Sequence, residues 1–297
     1  MDVDDYLARI EYSGPKNPTE EVLKELCWAH VTHVPFYTLD LFGSGERKVM
    51  KLESIYRKII TDRVGGMCYE LNAMFNWLLN ELGFKVNVMR AESTMASNRQ
   101  SSDGLIGGHL TLVVEFPHGK QKIADVSSLA LPLDLDTEEP QDQRNTKARV
   151  LKKFCNEEKN WYFYVEKLSR TVIDVKEIES VGDLKQVKGV EWNGRFRFPL
   201  QASNSKIEDF QINIDASQDN ENSEFRQISF CVLQTALGMK ALICKNYLEK
   251  EYVDDYRETK TTKLITEDED IISILKEKFG VVLNHKLDLP DHQNNIF

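Results

Sequence analysis

A chain of 297 residues with 41% hydrophobic side chains, four Trp and fourteen Phe can bury a sizeable core, which excludes a disordered segment and predicts two or three subdomains. A formal net charge of −10 argues against nucleic acid or an anionic membrane as partner, because both are gripped by clustered Lys and Arg. The opening MDVDDYLARI lacks a basic n-region and an apolar h-region, and no stretch approaches the roughly eighteen apolar residues of a membrane span, so a soluble, cytoplasmic protein is expected. Cys27, Cys68, Cys155, Cys231 and Cys244 are odd in number and widely spaced, which predicts reduced thiols rather than a disulfide framework.

Up to about Gly83 the pattern is helical. Apolar residues fall three and four apart over 3–10, 19–30 and 52–60, with Thr19 as N-cap and Glu21 in the first turn. Cys27, His30 and His33 do not form a metal site on one helix, since steps of three and six residues rotate by about 300° and 600°. Val34, Pro35 and Phe36 read as extended, and Gly43, Ser44 and Gly45 as a turn. In the stretch Arg63 to Asn72, Gly65 and Gly66 precede Cys68. Leu71, Phe75, Leu78, Leu79 and Leu82 follow at helical spacing, so a tight loop opens a buried helix that Gly83 closes. Cys68 then sits in the first turn, where free N–H groups and the helix dipole favour thiolate. That makes it a candidate nucleophile, although its place on the stripe of Leu71 and Phe75 also suits a packing residue.

From Phe84 the period changes to two. Residues 109–116 and 120–126 flank Pro117, His118 and Gly119, a hairpin signal. A turn centred on Pro117 pairs residues whose numbers sum to about 234, which sets His109 opposite Asp125. An imidazole that takes the thiol proton, oriented by a carboxylate, is what a thiol nucleophile needs at neutral pH. Further on, 134–149 reads as an exposed loop, 161–168 and 195–200 as strands, and 203–224 as polar and irregular. Residues 225–234 and 240–248 form a second hairpin around Ala236, Leu237 and Gly238, with Cys231 and Cys244 as packing residues. Thr266 with Glu269 is a capping box for a helix through Ile271, Leu275 and Phe279 to Gly280.

These residues together resemble the arylamine N-acetyltransferases, specifically the longer vertebrate-type members, nearly end to end. The resemblance rests on Val34-Pro35-Phe36, on Gly65-Gly66-Met67-Cys68 with Asn72, Trp77, Gly83 and Phe84, and on His109-Leu110 and Asp125. It rests also on Trp161-Tyr162, Glu208-Asp209-Phe210 and the run Ser229 to Thr235. It implies an α+β fold with a cysteine-protease-like triad of Cys68, His109 and Asp125. The helical bundle would span 1–83, a β-barrel-like domain 84–197 with a polar insertion about 134–149, and an α/β lid 198–297. It further implies ping-pong transfer from acetyl-CoA to a small aromatic amine or hydrazine, no metal, and a monomer. Ile106, Gly107, Gly108 and Ser223 would meet CoA. Phe36, Ser93 and Ser128 would line the acceptor pocket, the two serines making it wider or more polar.

Three departures stand out. Ser127, Ser128 and Leu129 replace a glycine–aromatic–glycine loop, so the loop must take another shape and CoA affinity is affected. Val64 replaces an Arg, removing a buried ionic anchor and lowering stability. Residues 220–224 keep only the Ser223 hydroxyl of a Ser-Pro-rich segment, and Glu221 and Glu224 would repel phosphate. Two other readings stay open: a non-catalytic binding homologue and a thiol hydrolase on the same triad.

Overall fold

Asp2 and Thr19 start the first two helices. In α1 (Val3–Arg9) the Asp2 carboxylate accepts the Asp4 and Asp5 N–H groups, and in α2 (Glu20–His33) Thr19 Oγ1 accepts from Val22 N. α2 runs unbroken through Cys27, His30 and His33, and His30 Nδ1 faces the Tyr6 hydroxyl at 2.9 Å. Strand β1 (Phe36–Tyr37) and α3 (Leu52–Tyr56) follow; α3 widens into a π turn at Arg57–Thr61 before α4 (Cys68–Glu81). The computed structural model describes residues 1–43, 47–94, 108–144, 146–172, 191–201, 204–254, 257–265, 267–283 and 287–289.

The next strands are β2 (Lys85–Ser93), β3 (Gly108–Glu115), β4 (Gln121–Ala124), β5 (Leu133–Asp134), β6 (Gln141–Asp142), β7 (Lys147–Cys155), β8 (Asn160–Leu168), β9 (Thr171–Val172) and β10 (Trp192–Pro199). Except for β9 they form one sheet in the order β5-β4-β3-β2-β10-β8-β7-β6, and it curls until β5 meets β7, which gives the barrel-like shape. Then come α5 (Gln211–Asp219), α6 (Glu224–Gln227), β11 (Phe230–Gln234), β12 (Gly238–Ile243), β13 (Asn246–Tyr252), β14 (Arg257–Leu264) and α7 (Asp268–Phe279). The second sheet runs β1-β11-β12-β13-β14-β9, so two residues of the N-terminal segment become its edge strand. Gly280, left-handed at φ 68°, ends α7.

The α4 stripe read from the sequence is the centre of the main core. Leu71, Phe75, Leu78 and Leu79 are fully buried with Leu23 and Leu26 of α2 and Leu110, Leu112 and Val114 of β3. Helices and sheet thus share one apolar core. Among the described residues no helix is long and apolar enough to cross a membrane.

The structure differs from the sequence reading in three places. Residues 203–224 hold α5, a polar helix whose buried positions include the polar Asn213 and Ser217 beside Ile214, so it shows little apolar periodicity. Residues 240–248 are not one strand: β12 ends at Ile243, the chain reverses through Cys244 at φ 50°, and β13 begins at Asn246, while Phe225 belongs to α6. A turn this tight leaves the alternation unbroken and therefore invisible. Residues 134–149 are not an exposed loop either. Gln143 and Thr146 are buried, and the Gln143 side chain accepts from Ala130 N and Leu131 N and donates to Leu131 O. Ser44, Gly45 and Thr266 lie outside the described residues.

Candidate active site

The hairpin that carries His109 turns one residue later than expected. His118 (φ 62°) and Gly119 (φ 75°) are left-handed, Phe116 N donates to Lys120 O at 2.8 Å, and β3 pairs with β4 as Leu112–Ala124 and Val113–Ile123. Paired numbers therefore sum to 236, so Asp125 is a diagonal rather than a direct neighbour of His109. A shift of two preserves the face of the sheet, and the side chains still meet, with His109 Nε2 2.5 Å from Asp125 Oδ2. Both are buried.

Cys68 is the first residue of α4 and is 7% exposed. The loop before it is fixed by backbone contacts: Gly66 N donates to Pro35 O at 3.2 Å, and Tyr37 N to Gly66 O at 2.9 Å. A Cβ on Gly65 would lie 2.0 Å from Pro35 O, so this glycine serves close approach rather than an unusual φ. Gly65→Ala is expected to destabilise by about 1–3 kcal/mol through overpacking, read as a lower denaturation midpoint with an unchanged denaturant slope.

Asp125 engages Nε2 of His109, which leaves Nδ1 for another partner, and Cys68 is among the groups that act electrostatically on the ring. Burial opposes charge on His109, but the Asp125 carboxylate, its hydrogen bond and Cys68 outweigh burial and raise the imidazolium to about 10. Burial likewise disfavours the Asp125 carboxylate. His109, with donors on Asn72 and Ser127, overrides this and lowers its pKa. Asn72, one turn after Cys68, ties the elements together: Nδ2 donates to Leu110 O (2.7 Å) and Asp125 Oδ1 (3.1 Å), and Oδ1 accepts from Val126 N (3.0 Å). Phe196 of β10 lies against the His109 ring, centroids 4.7 Å apart.

The departures acquire definite structures. Ser127 N, Ser127 Oγ and Ser128 N all donate to Asp125 Oδ1, at 3.1, 2.8 and 3.1 Å, so the loop closes as a turn on the aspartate. None of Ser127, Ser128 and Leu129 has positive φ, and no glycine is needed. A buried ionic cluster of other residues braces the loop after Val64. Lys58 Nζ contacts Asp40 (2.6 Å) and both Glu70 oxygens (2.7 and 3.0 Å), while Lys48 contacts Asp40 and reaches Glu70 at 3.4 Å. Burial works against the Asp40 carboxylate, yet the two lysines hold it down to about 2. Glu70 Oε2 in turn accepts Met67 N at 2.9 Å, immediately before Cys68. Lys48 and Lys58 carried no sequence signal, because neither adjoins the glycine pair.

An open cavity of about 50 Å³ is walled by Phe36, Val126 to Ala130, Val232 and Gln234, among others, and Cys68, His109 and Asp125 are not part of its wall. Phe36, bridged to Gly66, also packs with Phe225 and Phe230 at centroid distances of 6.2 and 6.5 Å. Of the expected acceptor residues, Phe36 and Ser128 line the cavity. Ser93 pairs with Phe196 across β2 and β10 and is not in the wall. Of the expected CoA residues, Gly108 opens β3, its carbonyl accepting the Tyr69 hydroxyl, and a Cβ there would meet Asn213 Nδ2 at 2.4 Å. Ser223 is 1% exposed, so it presents almost no surface to a ligand. Ile106, Gly107 and the tail from Asn294 to Phe297 lie outside the described residues.

A helix-borne thiol beside an imidazole that a buried carboxylate orients is the constellation of thiol-dependent acyl transfer. The family profile described as N-acetyltransferase matches residues 19–288. Arylamine N-acetyltransferase, pineal gland isozyme NAT-10, of Gallus gallus is 30% identical over 295 residues, covering 97% of this chain and 96% of its own. Arylamine N-acetyltransferase 1 of Homo sapiens is 26% identical over 304 residues, covering 100% and 99%. The structure of Mycobacterium marinum arylamine N-acetyltransferase in complex with CoA is alike in fold, with a TM-score of 0.76 at 20% identity over 94% of this chain and 93% of that one. The chain belongs to the arylamine N-acetyltransferase family and is an acyltransferase.

Proposed function

We propose that Cys68, His109 and Asp125 move an acetyl group from acetyl-CoA to an arylamine or arylhydrazine in two half-reactions. The Cys68 thiolate, its proton held on His109, attacks the thioester carbonyl; the carbon–sulfur bond to CoA breaks, and CoA leaves as the thiol after taking that proton. The amine nitrogen then attacks the acetyl-cysteine carbonyl, gives up a proton to His109, and the Cys68–acetyl bond breaks as the amide forms. Asp125 stabilises the imidazolium in both steps. Forming an amide from a thioester is downhill, so the second half-reaction draws the cycle forward. The observation that carries this reading is the buried His109–Asp125 pair, on whose imidazole a cysteine at the first turn of a helix acts electrostatically. The acidic net charge favours a soluble cytoplasmic monomer acting on small molecules, without nucleic acid or membrane partners.

The test is intact-protein mass after brief exposure to acetyl-CoA, with Cys68→Ala alongside. The native chain is expected to gain one acetyl group that requires Cys68 and is discharged by an arylamine. An unmodified protein beside intact acetyl-CoA would favour a binding homologue, and consumption of acetyl-CoA without amine would favour a hydrolase.

A further inference from the structure

A second and larger cavity, of about 240 Å³, lies at the end of the barrel remote from His109. On β3, His109, Val113 and Glu115 share the inward face, while Leu110, Leu112 and Val114 pack on the helices. Val113 and Glu115 line the cavity, so its rim stands about 20 Å along the strand from the imidazole. Its inner walls are Met89, Val113, Leu135, Phe163 and Phe198, all members of the apolar core, and the rings of Phe163 and Phe198 stand 5.3 Å apart.

Native cores hold few voids larger than a water molecule, and an apolar cavity of about 150 Å³ is enough for benzene. Here there is room for a ring and a substituent. The rim decides which substituent. Asn87 of β2, paired with Val113, donates through Nδ2 to Glu115 Oε1 at 2.6 Å, and Asn204 Oδ1 accepts Val88 N at 2.7 Å. Among the described residues the Gln121 amide and Asn204 Nδ2 make no hydrogen bond, so donors and an acceptor are left over at the mouth. Three carboxamides around an apolar floor match a ring whose polar group has a donor and an acceptor side by side. The one charge in the described wall is negative: Lys85, then Asn87, hold the Glu115 carboxyl below its usual range. Neither Lys85 nor Lys152, which lies 5.5 Å over the Phe163 ring, belongs to the wall. An anion would enter facing a carboxylate and meet no cation inside.

We propose that this far mouth of the barrel is a second binding site, which takes a neutral aromatic ring bearing a primary carboxamide or an equivalent pair of donor and acceptor. The ring lies on Phe163 and Phe198, and its amide exchanges hydrogen bonds with Gln121, Asn204 and Glu115. Phe198 is followed by Phe196 at 6.5 Å and then by His109 at 4.7 Å, so two rings stand between the ligand and the imidazole. The site neither uses nor blocks Cys68, and binding there does not depend on the acetyltransferase reading.

The probe is benzamide, which carries no basic amine to acetylate, titrated into the full chain with isotope-labelled methionine methyl groups. Met89 is the one methionine in the cavity wall, and the conservative Met89→Leu assigns its NMR signal among the seven. Benzamide should shift that signal saturably, with a Kd of about 1 mM or tighter. Benzoate, of the same shape but charged, should bind about tenfold more weakly. Gln121→Ala should weaken benzamide by about threefold to tenfold, the size of a neutral hydrogen bond. Glu115→Gln, which gives up only a pairing with the 74% exposed Lys85, should fold normally and narrow the gap between benzoate and benzamide. Absence of a saturable Met89 shift would overturn the proposal, as would equal binding of the two probes to the native chain or a benzamide affinity that Gln121→Ala leaves unchanged. Benzamide that competes with an arylamine in turnover while leaving Met89 unmoved would place the ring in the cavity beside Phe36 and refute the second site.

Discussion

Asp125→Asn is expected to slow acetylation of Cys68 by about three to four orders of magnitude, measured as the intact mass against time at saturating acetyl-CoA. The geometry explains why an isosteric change is so costly. Oδ1 of Asp125 accepts from Asn72 Nδ2, Ser127 N, Ser127 Oγ and Ser128 N, all donors. In the variant the amide oxygen must take this position, which turns the amide NH2 toward His109 Nε2. A donor facing Nε2 obliges that nitrogen to accept, so the ring proton moves to Nδ1, the nitrogen that Asp125 leaves for the thiol in the proposed mechanism. The imidazole then cannot take the thiol proton. With the carboxylate gone, burial is left as the main influence on His109 and disfavours the imidazolium.

The same substitution should flatten the dependence of stability on pH. In the native protein His109 is raised from 6.5 to about 10, so its contribution is complete below about pH 6.5 and is lost as pH rises through about 10. Asp125 is lowered from 3.8, so its contribution is present above about pH 3.8 and is lost as pH falls through its folded value. Native Tm should therefore decline on either side of the interval between these limits. In Asp125→Asn both slopes should shrink; a Tm profile parallel to the native one would show that the pair contributes little.

What the sequence disclosed about this site was whatever is written in local pattern. Gly65 to Leu82 announced a loop and a buried helix because close backbone approach demands glycine and a core-facing stripe demands spacing of three and four. His109 and Asp125 could be associated through one hairpin, and the error in its turn was harmless because two residues return a strand to the same face. Asn72 was noticed only as part of a resemblance, since nothing in a single sequence says that an amide on a helix will span two strands and a turn. The Ser127 to Leu129 segment looked like a loss of cofactor-binding glycines, whereas its hydroxyl and amides close on Asp125. Long-range ionic contacts were the least legible. Lys48, Lys58, Asp40 and Glu70 come from four separate segments, and their meeting depends on tertiary packing.

That network carries the second large effect. Lys58→Met is expected to cost about 3–5 kcal/mol, read by chemical denaturation, because it leaves buried carboxylates with too little positive charge. Lys58 contacts Asp40 and both oxygens of Glu70, and after its removal Lys48 must serve both acids, the nearer being Asp40. Glu70 is 4% exposed, so water cannot replace the lost partner. The damage should reach the nucleophile, since the Glu70 oxygen that takes Met67 N fixes the turn from which Cys68 projects; slower acetylation is expected with the fall in stability. Charge balance supplies the control. Glu70→Gln keeps an acceptor for Met67 N while removing one negative charge, so Lys58→Met/Glu70→Gln should be more stable than Lys58→Met alone. A double variant that merely summed the two losses would mean that the lysine acts through packing of its stem and not through the carboxylates it touches.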